Sequence, residues 1–233
     1  MAHILPCMAT ARGGQQHIPR PPGVRAGSPA PWGGLSAEER AAIDTGRVRS
    51  ALASKPVGRP LAPTLPSAQL AAVLVPFFED DGETRLVLTR RSSDLPSHQG
   101  EVAFPGGKVH EGEALEAAAL REAREEVGIR PDEVEIVGQL EQLATVAGRF
   151  ALAPFVGVLP GRPTLVPNPA EVARVFDVTV AELLDARVYR EEHWDLPGMG
   201  ERPMHFWELE GDTVWGATAR ILYDLLTLLT GTR

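Results

Sequence analysis

The segment that most constrains this chain runs from residue 107 to residue 129, GKVHEGEALEAAALREAREEVGI. A glycine-containing entry leads into a run of helix-forming residues, and Gly128 follows as a typical helix C-cap. We therefore predict a helix from about Glu113 to Val127. This helix would place Glu122, Glu125 and Glu126 on one face, where like charges three or four residues apart cost roughly 0.2–0.5 kcal/mol per pair. The opposite face is apolar and can pack on a sheet.

Divalent cations are one means of compensating this negative charge. The three carboxylates would have Cβ atoms about 5–6 Å apart, so their flexible arms could converge on one or two cations. Ligands that are all oxygens favour Mg²⁺ or Mn²⁺, and the backbone carbonyl near Gly107 could supply another. Arg121 precedes Glu125 by four residues and could orient it. The alternative is a solvated charged helix face, which is what most helices rich in Glu and Arg present.

The complete spacing favours the metal site. The segment meets every defined position of G-x5-E-x7-R-E-U-x-E-E-x-G-U, where U is apolar. Ala123 and Ile129 fill the two U positions, and the other defined positions are Gly107, Glu113, Arg121, Glu122, Glu125, Glu126 and Gly128. This pattern resembles the Nudix box. The resemblance implies the Nudix fold and Mg²⁺- or Mn²⁺-dependent hydrolysis of a nucleoside diphosphate linked to another group. It also implies that Glu122 and Glu126 are the principal metal ligands, assisted by Glu125, while Glu113 and Arg121 support the loop and the helix.

The segment before the box, LTRRSSDLPSHQGEVAFPGG (88–107), bears on the substrate. It is similar to the extended motif of coenzyme A pyrophosphatases within the Nudix superfamily, L-T-x-R-[SA]-x3-R-x-H-x-G-x3-F-P-G-G. One position departs from that motif, because Pro96 stands where an arginine is usual. The resemblance implies cleavage of coenzyme A, or of a derivative, to 3′,5′-ADP and 4′-phosphopantetheine or its acyl form. If the usual arginine binds a phosphate, Arg90 or a neighbour must compensate.

Four residues of this segment are candidates for binding substrate: Arg90, Arg91, His98 and Phe104. One of the two arginines could pair with a phosphate through two hydrogen bonds. Each candidate also has a structural interpretation. Arg90 and Arg91 could be ordinary surface arginines, and His98 could be a structural loop histidine. The Phe-Pro-Gly-Gly run that contains Phe104 could be a structural entry into the box. The proton acceptor would be Glu125 or a loop acid. Glu171 is a candidate for an acid at the site, unless it is an ordinary strand-start residue.

Two other functions stay open. The first is a Nudix pyrophosphatase that acts on ADP-ribose, NADH or diadenosine polyphosphates. The second is a non-catalytic Nudix domain that binds a nucleotide or a protein, although such domains usually lose box glutamates and this chain keeps them all. In either case a homodimer is an assembly that the sequence leaves open.

The chain divides into three parts. Residues 1–34 are rich in Pro, Gly, Ala and Arg, and we expect a disordered tail. Residues 35–68 comprise a helix to about Ala53, begun by a Ser36–Glu39 capping box, and a proline-rich connector. Residues 69–231 form the hydrolase domain, with predicted strands at 71–80, 84–90, 102–104, 133–143, 150–160, 172–180 and 204–211 and predicted helices at 113–127, 181–188 and 213–230; two of the strands flank a turn at Gly148.

This order of elements predicts the α+β class, an α/β/α sandwich whose mixed sheet lies between helices. The net charge of −8 is uneven, since residues 1–60 carry a balance of +5 and the remainder −13. An acidic main domain argues against a nucleic-acid partner and is compatible with cation binding. No apolar run approaches the roughly 20 residues that span a bilayer, and no secretory signal is recognisable. With Cys7 as its one cysteine, the chain is expected in the reducing cytoplasm.

Overall fold

The structure, a computed structural model, describes residues 12–14, 16–53, 68–95, 98–145 and 150–232. The expectations stated for Cys7, for the proline-rich connector at 55–67, for Pro96 and for the turn at Gly148 lie outside these ranges. The strands are β1 (Arg25–Ala26), β2 (Gln69–Asp80), β3 (Glu83–Arg91), β4 (Val102–Ala103), β5 (Gly106–Lys108), β6 (Glu135–Gln139), β7 (Leu143–Ala144), β8 (Phe150–Val158), β9 (Val172–Thr179), β10 (Tyr189–Leu196), β11 (Gly200–Leu209) and β12 (Asp212–Val214).

The helices are α1 (Ala37–Ala41), α2 (Thr45–Ala53), α3 (Leu115–Val127), α4 (Val180–Leu183) and α5 (Gly216–Thr230), and a 3-10 turn lies at Pro131–Glu133. Within the described ranges, none of the helices is both long enough and apolar enough to cross a membrane. Helix α3 carries the predicted carboxylates. Gly128 ends it in the left-handed conformation, with φ of 78°, and its N–H bonds back to Ala123 and Arg124. The predicted C-cap is therefore confirmed.

The larger sheet has eight strands and mixes both pairing directions. Its main path is β4-β3-β2-β8-β6, while β5 pairs with β2, β7 with β8 and β9 with β3. The β2–β8 pair is parallel, and the other described pairs of this sheet are antiparallel. The predicted mixed sheet is confirmed. The strand predicted at 133–143 is divided into β6 and β7, because the backbone leaves the ladder between them.

Side chains of β2 alternate between the two faces of this sheet, as a strand requires. Val73 and Val75 enter the larger core, which contains residues of α2, α4 and α5. Leu74 and Phe78 enter a second core, which contains three alanines and Val127 of α3. Helices therefore cover both faces of the sheet, which confirms the α/β/α arrangement.

A second, antiparallel sheet has the strand order β1-β10-β11-β12. Strand β10, YREEHWDL, is absent from the sequence-based prediction because half of its residues are charged. One of those charges is paired across the sheet, since Arg190 Nε of β10 donates to Glu208 Oε1 of β11 at 2.9 Å. The helix predicted at 181–188 is reduced to α4. The helix predicted from 213 begins only at Gly216, because β12 takes the preceding residues.

The predicted continuous helix at 35–53 is wrong in one respect, since the structure divides it into α1 and α2. The Ser36–Glu39 capping box that begins α1 is confirmed, with both reciprocal hydrogen bonds present. Asp44 then starts a new helix, because its Oδ1 accepts from the N–H of Arg47 at 2.7 Å. A side-chain acceptor at that position satisfies a free helix-terminal N–H and favours a new N-terminus over a continued helix.

The expectation of a disordered tail is wrong for residues 16–34, which lie along the second sheet. Trp32 is 1% exposed and belongs to the larger core. Ile18 and Val24 pack against a third cluster, on the second sheet, that includes Trp194 and Phe206. The segment shows no hydrophobic period because separate residues anchor it through tertiary contacts, with just two residues in a strand. We call residues 16–34 the N-terminal strap.

Trp32→Ala should lower the free energy of unfolding by about 3–5 kcal/mol, because it removes a fully buried indole. That ring has its centroid 5.1 Å from the ring of Tyr189 and 6.0 Å from that of Trp207. Urea denaturation followed by far-ultraviolet circular dichroism measures the change. The control is Arg25→Ala, which removes an exposed ion pair with Glu201 in the same strap and should cost less than about 1 kcal/mol. Equal, small changes in both variants would show that the strap does not contribute to the core.

Candidate active site

Glu126 is the most buried carboxylate of α3, and its surroundings are set by β3 and β5. The residue is 3% exposed, and its Oε2 accepts from the N–H of Gly106 at 3.1 Å. Its Oε1 lies 3.8 Å from Arg91 Nη1. Burial raises the pKa of Glu126 to about 7, with smaller upward contributions from the charges of Glu171 and Glu122. A buried carboxylate with acidic neighbours favours a cation beside it.

Glu122 lies one turn before Glu126 and contacts the glycine entry directly. A Cβ placed on Gly107 would lie 2.5–2.6 Å from the carboxylate atoms of Glu122. Only a residue without a side chain leaves room for that carboxylate. The backbone of Gly107 and the Glu122 side chain are therefore adjacent, as two ligands of one ion would be. The contact explains the glycine at the start of the motif through close approach, because the structure gives no positive φ there.

Arg121 links the box residues to one another. Its Nε donates to Glu113 Oε1 at 2.8 Å and its Nη2 to Glu113 Oε2 at 3.0 Å. Its Nη1 donates to Glu122 at 2.9 Å and to Glu125 at 3.1 Å. The hydrogen bonds from Arg121, with one from the N–H of His110, lower the pKa of Glu113 to about 2. These hydrogen bonds join the loop that carries Glu113 to helix α3.

Arg90 and Arg91 leave β3 on opposite faces, because side chains alternate along a strand. Arg91 lies beside Glu126, and its Nε is buried without a hydrogen-bond partner among the described residues. Arg90 donates from Nε to Asp212 Oδ1 at 2.6 Å and from Nη2 to the carbonyl of Gly211 at 2.8 Å. Of the two candidate arginines, the structure therefore places Arg91 at the site and Arg90 against the second sheet.

The loop between β3 and β4 brings His98 back towards the same strand end. The N–H of Gly100 donates to the carbonyl of Arg91 at 3.2 Å. His98 is exposed, adopts the left-handed conformation with φ of 57°, and has Nδ1 2.8 Å from Glu101 Oε2. Its ring is thus accessible, on a loop whose backbone is bonded to that of Arg91. Phe104, in contrast, is 3% exposed in the larger core, which leaves no ring face for a substrate.

Residues 168–171 bring Glu171 to the site, although the sequence of this segment gives little indication of a site residue. The N–H of Asn168 donates to the carbonyl of Glu126 at 2.8 Å, and the N–H of Ser92 donates to the carbonyl of Glu171 at 2.8 Å. Residues 168–171 therefore join the end of α3 to the end of β3. The Glu171 charge is close enough to raise the pKa of Glu126. In the sequence, Glu171 is indicated as a candidate acid only by the run Asn-Pro-Ala-Glu before a predicted strand.

These donors suit a hard divalent cation. Glu122, Glu126 and Glu171 present carboxylates, and Gly107 presents backbone beside Glu122. Within the described ranges, no three acidic, histidine or cysteine side chains already surround a single point. Glu122 instead bonds to Arg121, so it must share or leave that guanidinium to complete a shell. Glu125 is 55% exposed and lies further towards solvent. The set contains oxygens alone, which is the preference of Mg²⁺ and Mn²⁺.

Comparison with known proteins agrees with this geometry. The sequence model of the NUDIX domain matches residues 68–197, more than half of the chain. The chain belongs to the Nudix hydrolase family. Nudix hydrolases act on substrates that contain a pyrophosphate and generally use divalent cations. The family model spans α3, β3 and Glu171, and it leaves the N-terminal strap and α5 outside.

Two relatives show how far the likeness to this Nudix hydrolase extends. The Photorhabdus laumondii protein named "Uncharacterized Nudix hydrolase NudL" is 41% identical over 156 residues, covering 66% of this chain and 82% of that protein. The Arabidopsis thaliana protein named "Nudix hydrolase 22, chloroplastic" is 40% identical over 178 residues, which covers 72% of this chain and 58% of that protein. Among solved structures, a MutT/nudix family protein from Enterococcus faecalis aligns over 84% of this chain and 80% of its own, with a TM-score of 0.48 and 14% identity.

Glu126→Gln should stabilise the metal-free Nudix hydrolase at pH 8. The pKa of Glu126 is higher in the folded chain, at about 7, than its ordinary value of 4.5. The folded state therefore binds this proton more tightly, and stability is lost as pH rises from about 4.5 to about 7. Removing the charge should recover up to about 3 kcal/mol at pH 8 and less than about 1 kcal/mol at pH 5. Urea denaturation in EDTA at both pH values measures the two gains.

The control for this prediction is Glu125→Gln, on the same helix but more than half exposed. It should change stability by less than about 0.5 kcal/mol at either pH. If Glu126→Gln raises the free energy of unfolding by the same amount at pH 5 and at pH 8, Glu126 is not a buried carboxylate that ionises between those pH values.

Gly107→Ala should weaken Mn²⁺ binding about 10-fold, because the new methyl group displaces the Glu122 carboxylate that it would contact at 2.5–2.6 Å. The fold should persist, since the end of a flexible side chain can move. Calorimetric titration with Mn²⁺ measures the affinity. Gly161→Ala is the matched control, since no atom lies within 4 Å of its added Cβ. Unchanged Mn²⁺ affinity in Gly107→Ala would show that Glu122 is not a ligand of the metal.

Proposed function

We propose that this Nudix hydrolase cleaves the pyrophosphate of coenzyme A or of a coenzyme A derivative. The products would be 3′,5′-ADP and 4′-phosphopantetheine, or its acyl form. The observation that carries the proposal is the position of Arg91 beside Glu126, with Arg91 Nη1 3.8 Å from Glu126 Oε1. Arg91 belongs to the segment that resembles the coenzyme A motif, and Glu126 belongs to the box. The two motifs therefore meet at one site.

Glu122 and Glu126 would hold Mg²⁺ or Mn²⁺, with the Gly107 carbonyl and Glu125 as further oxygen donors. A cation bound there would neutralise charge on the diphosphate and lower the pKa of a bound water. Arg121 keeps Glu122 and the glycine entry together through Glu113 and the carbonyl of Lys108. These bonds fix the loop and the helix relative to each other, and Glu122 would share or leave the Arg121 guanidinium when a cation binds.

Arg91 would bind a substrate phosphate. Its buried Nε has no described partner, and 3.8 Å to Glu126 is too long for a hydrogen bond. A phosphate near Glu126 could accept from the guanidinium in the two-bond geometry that arginine favours. His98, exposed on the neighbouring loop, is a further candidate for a phosphate contact, although its bond to Glu101 also suits a structural role. Arg90 is occupied by Asp212 and is not part of this proposal.

Glu171 is the better-placed proton acceptor for the attacking water. It lies close enough to Glu126 to influence its pKa, and its backbone is fixed by the hydrogen bond from Ser92. Glu125 is largely exposed and bonded to Arg121. A carboxylate beside the buried Glu126, on a segment fixed at both ends, can accept a proton from a water at that point.

Glu171→Gln should lower kcat by about 10²–10⁴-fold, the usual contribution of a general base. Glu125→Gln should lower kcat much less. Steady-state kinetics at saturating Mn²⁺, with Mn²⁺ affinity measured in parallel, separate loss of the base from loss of the metal. A larger loss of kcat in Glu125→Gln than in Glu171→Gln would return the role of base to Glu125.

The experiment that tests the function is a panel of coenzyme A, acetyl-coenzyme A, dephospho-coenzyme A, ADP-ribose and NADH, each with Mg²⁺ and with Mn²⁺. Product chromatography should show coenzyme A or its acetyl form as the best substrate. The Glu126→Gln protein, which loses a ligand and a charge, should show almost no turnover and serves as the control for contaminating activity. A preference for ADP-ribose or NADH would overturn the assignment to coenzyme A and leave the hydrolase family intact. Assembly as a homodimer stays a prediction.

A further inference from the structure

Asp212 is a buried carboxylate that the proposed chemistry does not use, and it joins two neighbouring strands of the large sheet. Its side chain is 1% exposed. Arg90 of β3 donates to its Oδ1 at 2.6 Å, and Arg174 of β9 donates to its Oδ2 at 3.3 Å. Gln16 of the N-terminal strap adds a third hydrogen bond, from Nε2 to Oδ1 at 3.3 Å. Each carboxylate oxygen thus has an arginine donor from a different strand.

The two arginines need this carboxylate because of their register. Arg90 and Arg174 lie directly opposite each other in the antiparallel β3–β9 pair. Like charges at directly opposite positions destabilise a ladder. Asp212 lies between them and replaces repulsion with two ion pairs. Without its charge, we expect the strands to separate at this point.

Arg91 and Glu171 follow immediately beyond this pair, at the ends of the two strands. The register shifts after Arg90, so that Arg91 pairs with Val172 and Ala173 is an additional residue in β9. Such bulges redirect side chains and are frequent beside active sites. Glu171 directly precedes Val172, and its carbonyl accepts from the N–H of Ser92 at 2.8 Å. Arg91 and Glu171 therefore depend on the strand ends that Asp212 holds together.

We propose that Asp212 is a positioning residue for the hydrolase site. By neutralising Arg90 and Arg174, it sets the separation of Arg91 and Glu171 on the other face of the sheet. The inference rests on the proposed function, because it assigns those two residues to phosphate binding and proton transfer. A displacement of about 1 Å in such groups can lower turnover about 100-fold.

The same strand pair offers a matched control at its other end. Asp177 of β9 accepts from Arg85 of β3 and, at 2.8 Å, from Arg162. It is also mostly buried, with 15% exposure of its side chain. It is a carboxylate between two guanidinium groups, as Asp212 is, but it lies away from Arg91 and Glu171 along the strands. Neutralising Asp177 therefore reproduces the loss of stability without the loss of positioning.

The test compares Asp212→Asn with Asp177→Asn in the full chain, with coenzyme A and Mn²⁺, at a temperature well below both melting temperatures. Asp212→Asn should lower kcat about 10–100-fold, with KM changed less than kcat, and Asp177→Asn should stay within about 3-fold of wild type. Adding Arg174→Gln to Asp212→Asn removes the repulsion and should recover most of the lost kcat. Equal activity in the two single variants, or no recovery in the double variant, would overturn the inference.

If Asp212→Asn does not fold, the comparison moves to Arg90→Lys and Arg85→Lys. Lysine keeps each charge but has a single nitrogen in place of the Nε and Nη2 atoms with which Arg90 reaches Asp212 and Gly211. Arg90→Lys should lower kcat several-fold more than Arg85→Lys. Equal kcat values in these two variants would likewise overturn the inference.

Hydrogen exchange provides a readout that needs no turnover. The Ser92 amide, bonded to Glu171, should exchange about 10-fold faster in Asp212→Asn than in Asp177→Asn, because the strand ends separate. If wild type hydrolyses no diphosphate of the panel, the proposed function fails, and exchange at Ser92 still decides whether Asp212 holds the strands. If wild type is active but Ser92 exchange and kcat are the same in both variants, the positioning role alone fails.

Discussion

Glu126 can remain buried only because the rest of the site is arranged around it. A carboxylate that is 3% exposed loses the hydration that favours its charge, and one backbone N–H together with an arginine at 3.8 Å replaces little of it. The nearby acids Glu171 and Glu122 disfavour the charge further and raise the pKa of Glu126. Glu122 and Glu171 place further carboxylates near Glu126, and hydrogen bonds from Arg121 and from the Ser92 N–H hold these two residues. A divalent cation would offset this concentration of negative charge.

The end of β3 connects that site to the remainder of the molecule. Alternation along the strand sends Arg91 to the α3 face and Arg90 to the second sheet. Arg90 meets Asp212 there, and Asp212 in turn meets Gln16 of the N-terminal strap. Hydrogen bonds through Asp212 thus link the strap and the second sheet to the end of β3. The family model, which covers residues 68–197, includes neither Gln16 nor Asp212.

Local patterns predicted the box helix and its neighbours well, because spacing determines which side chains share a face. The Gly128 C-cap, the Ser36–Glu39 capping box and the mixed sheet between helices follow from such patterns. The N-terminal strap could not be predicted in this way, since Trp32 is held by Tyr189 and Trp207, more than 150 residues away. Strand β10 was missed because half of its residues are charged, and the pairing of Arg190 with Glu208 of β11 is visible only in the structure.

Choosing between Arg90 and Arg91 also required the structure. Both residues end the same strand, and the sequence does not specify which face of the sheet carries α3. The proximity of Glu171 to Glu126 likewise depends on hydrogen bonds that join separate segments. The box residues predicted from spacing are brought together on α3 and its entry loop. Their role in binding a metal remains a prediction.

The measurement that tests this role most directly is the number of protons released when Mn²⁺ binds, obtained by calorimetry in buffers of different ionisation enthalpy. With a pKa of about 7, Glu126 is about half protonated at pH 7, and a cation bound to it must displace that proton. The account predicts release of about half a proton per Mn²⁺ at pH 7 and close to none at pH 8.5. Release that is the same at both pH values, or absent at pH 7, would contradict the assignment of Glu126 as the buried metal ligand.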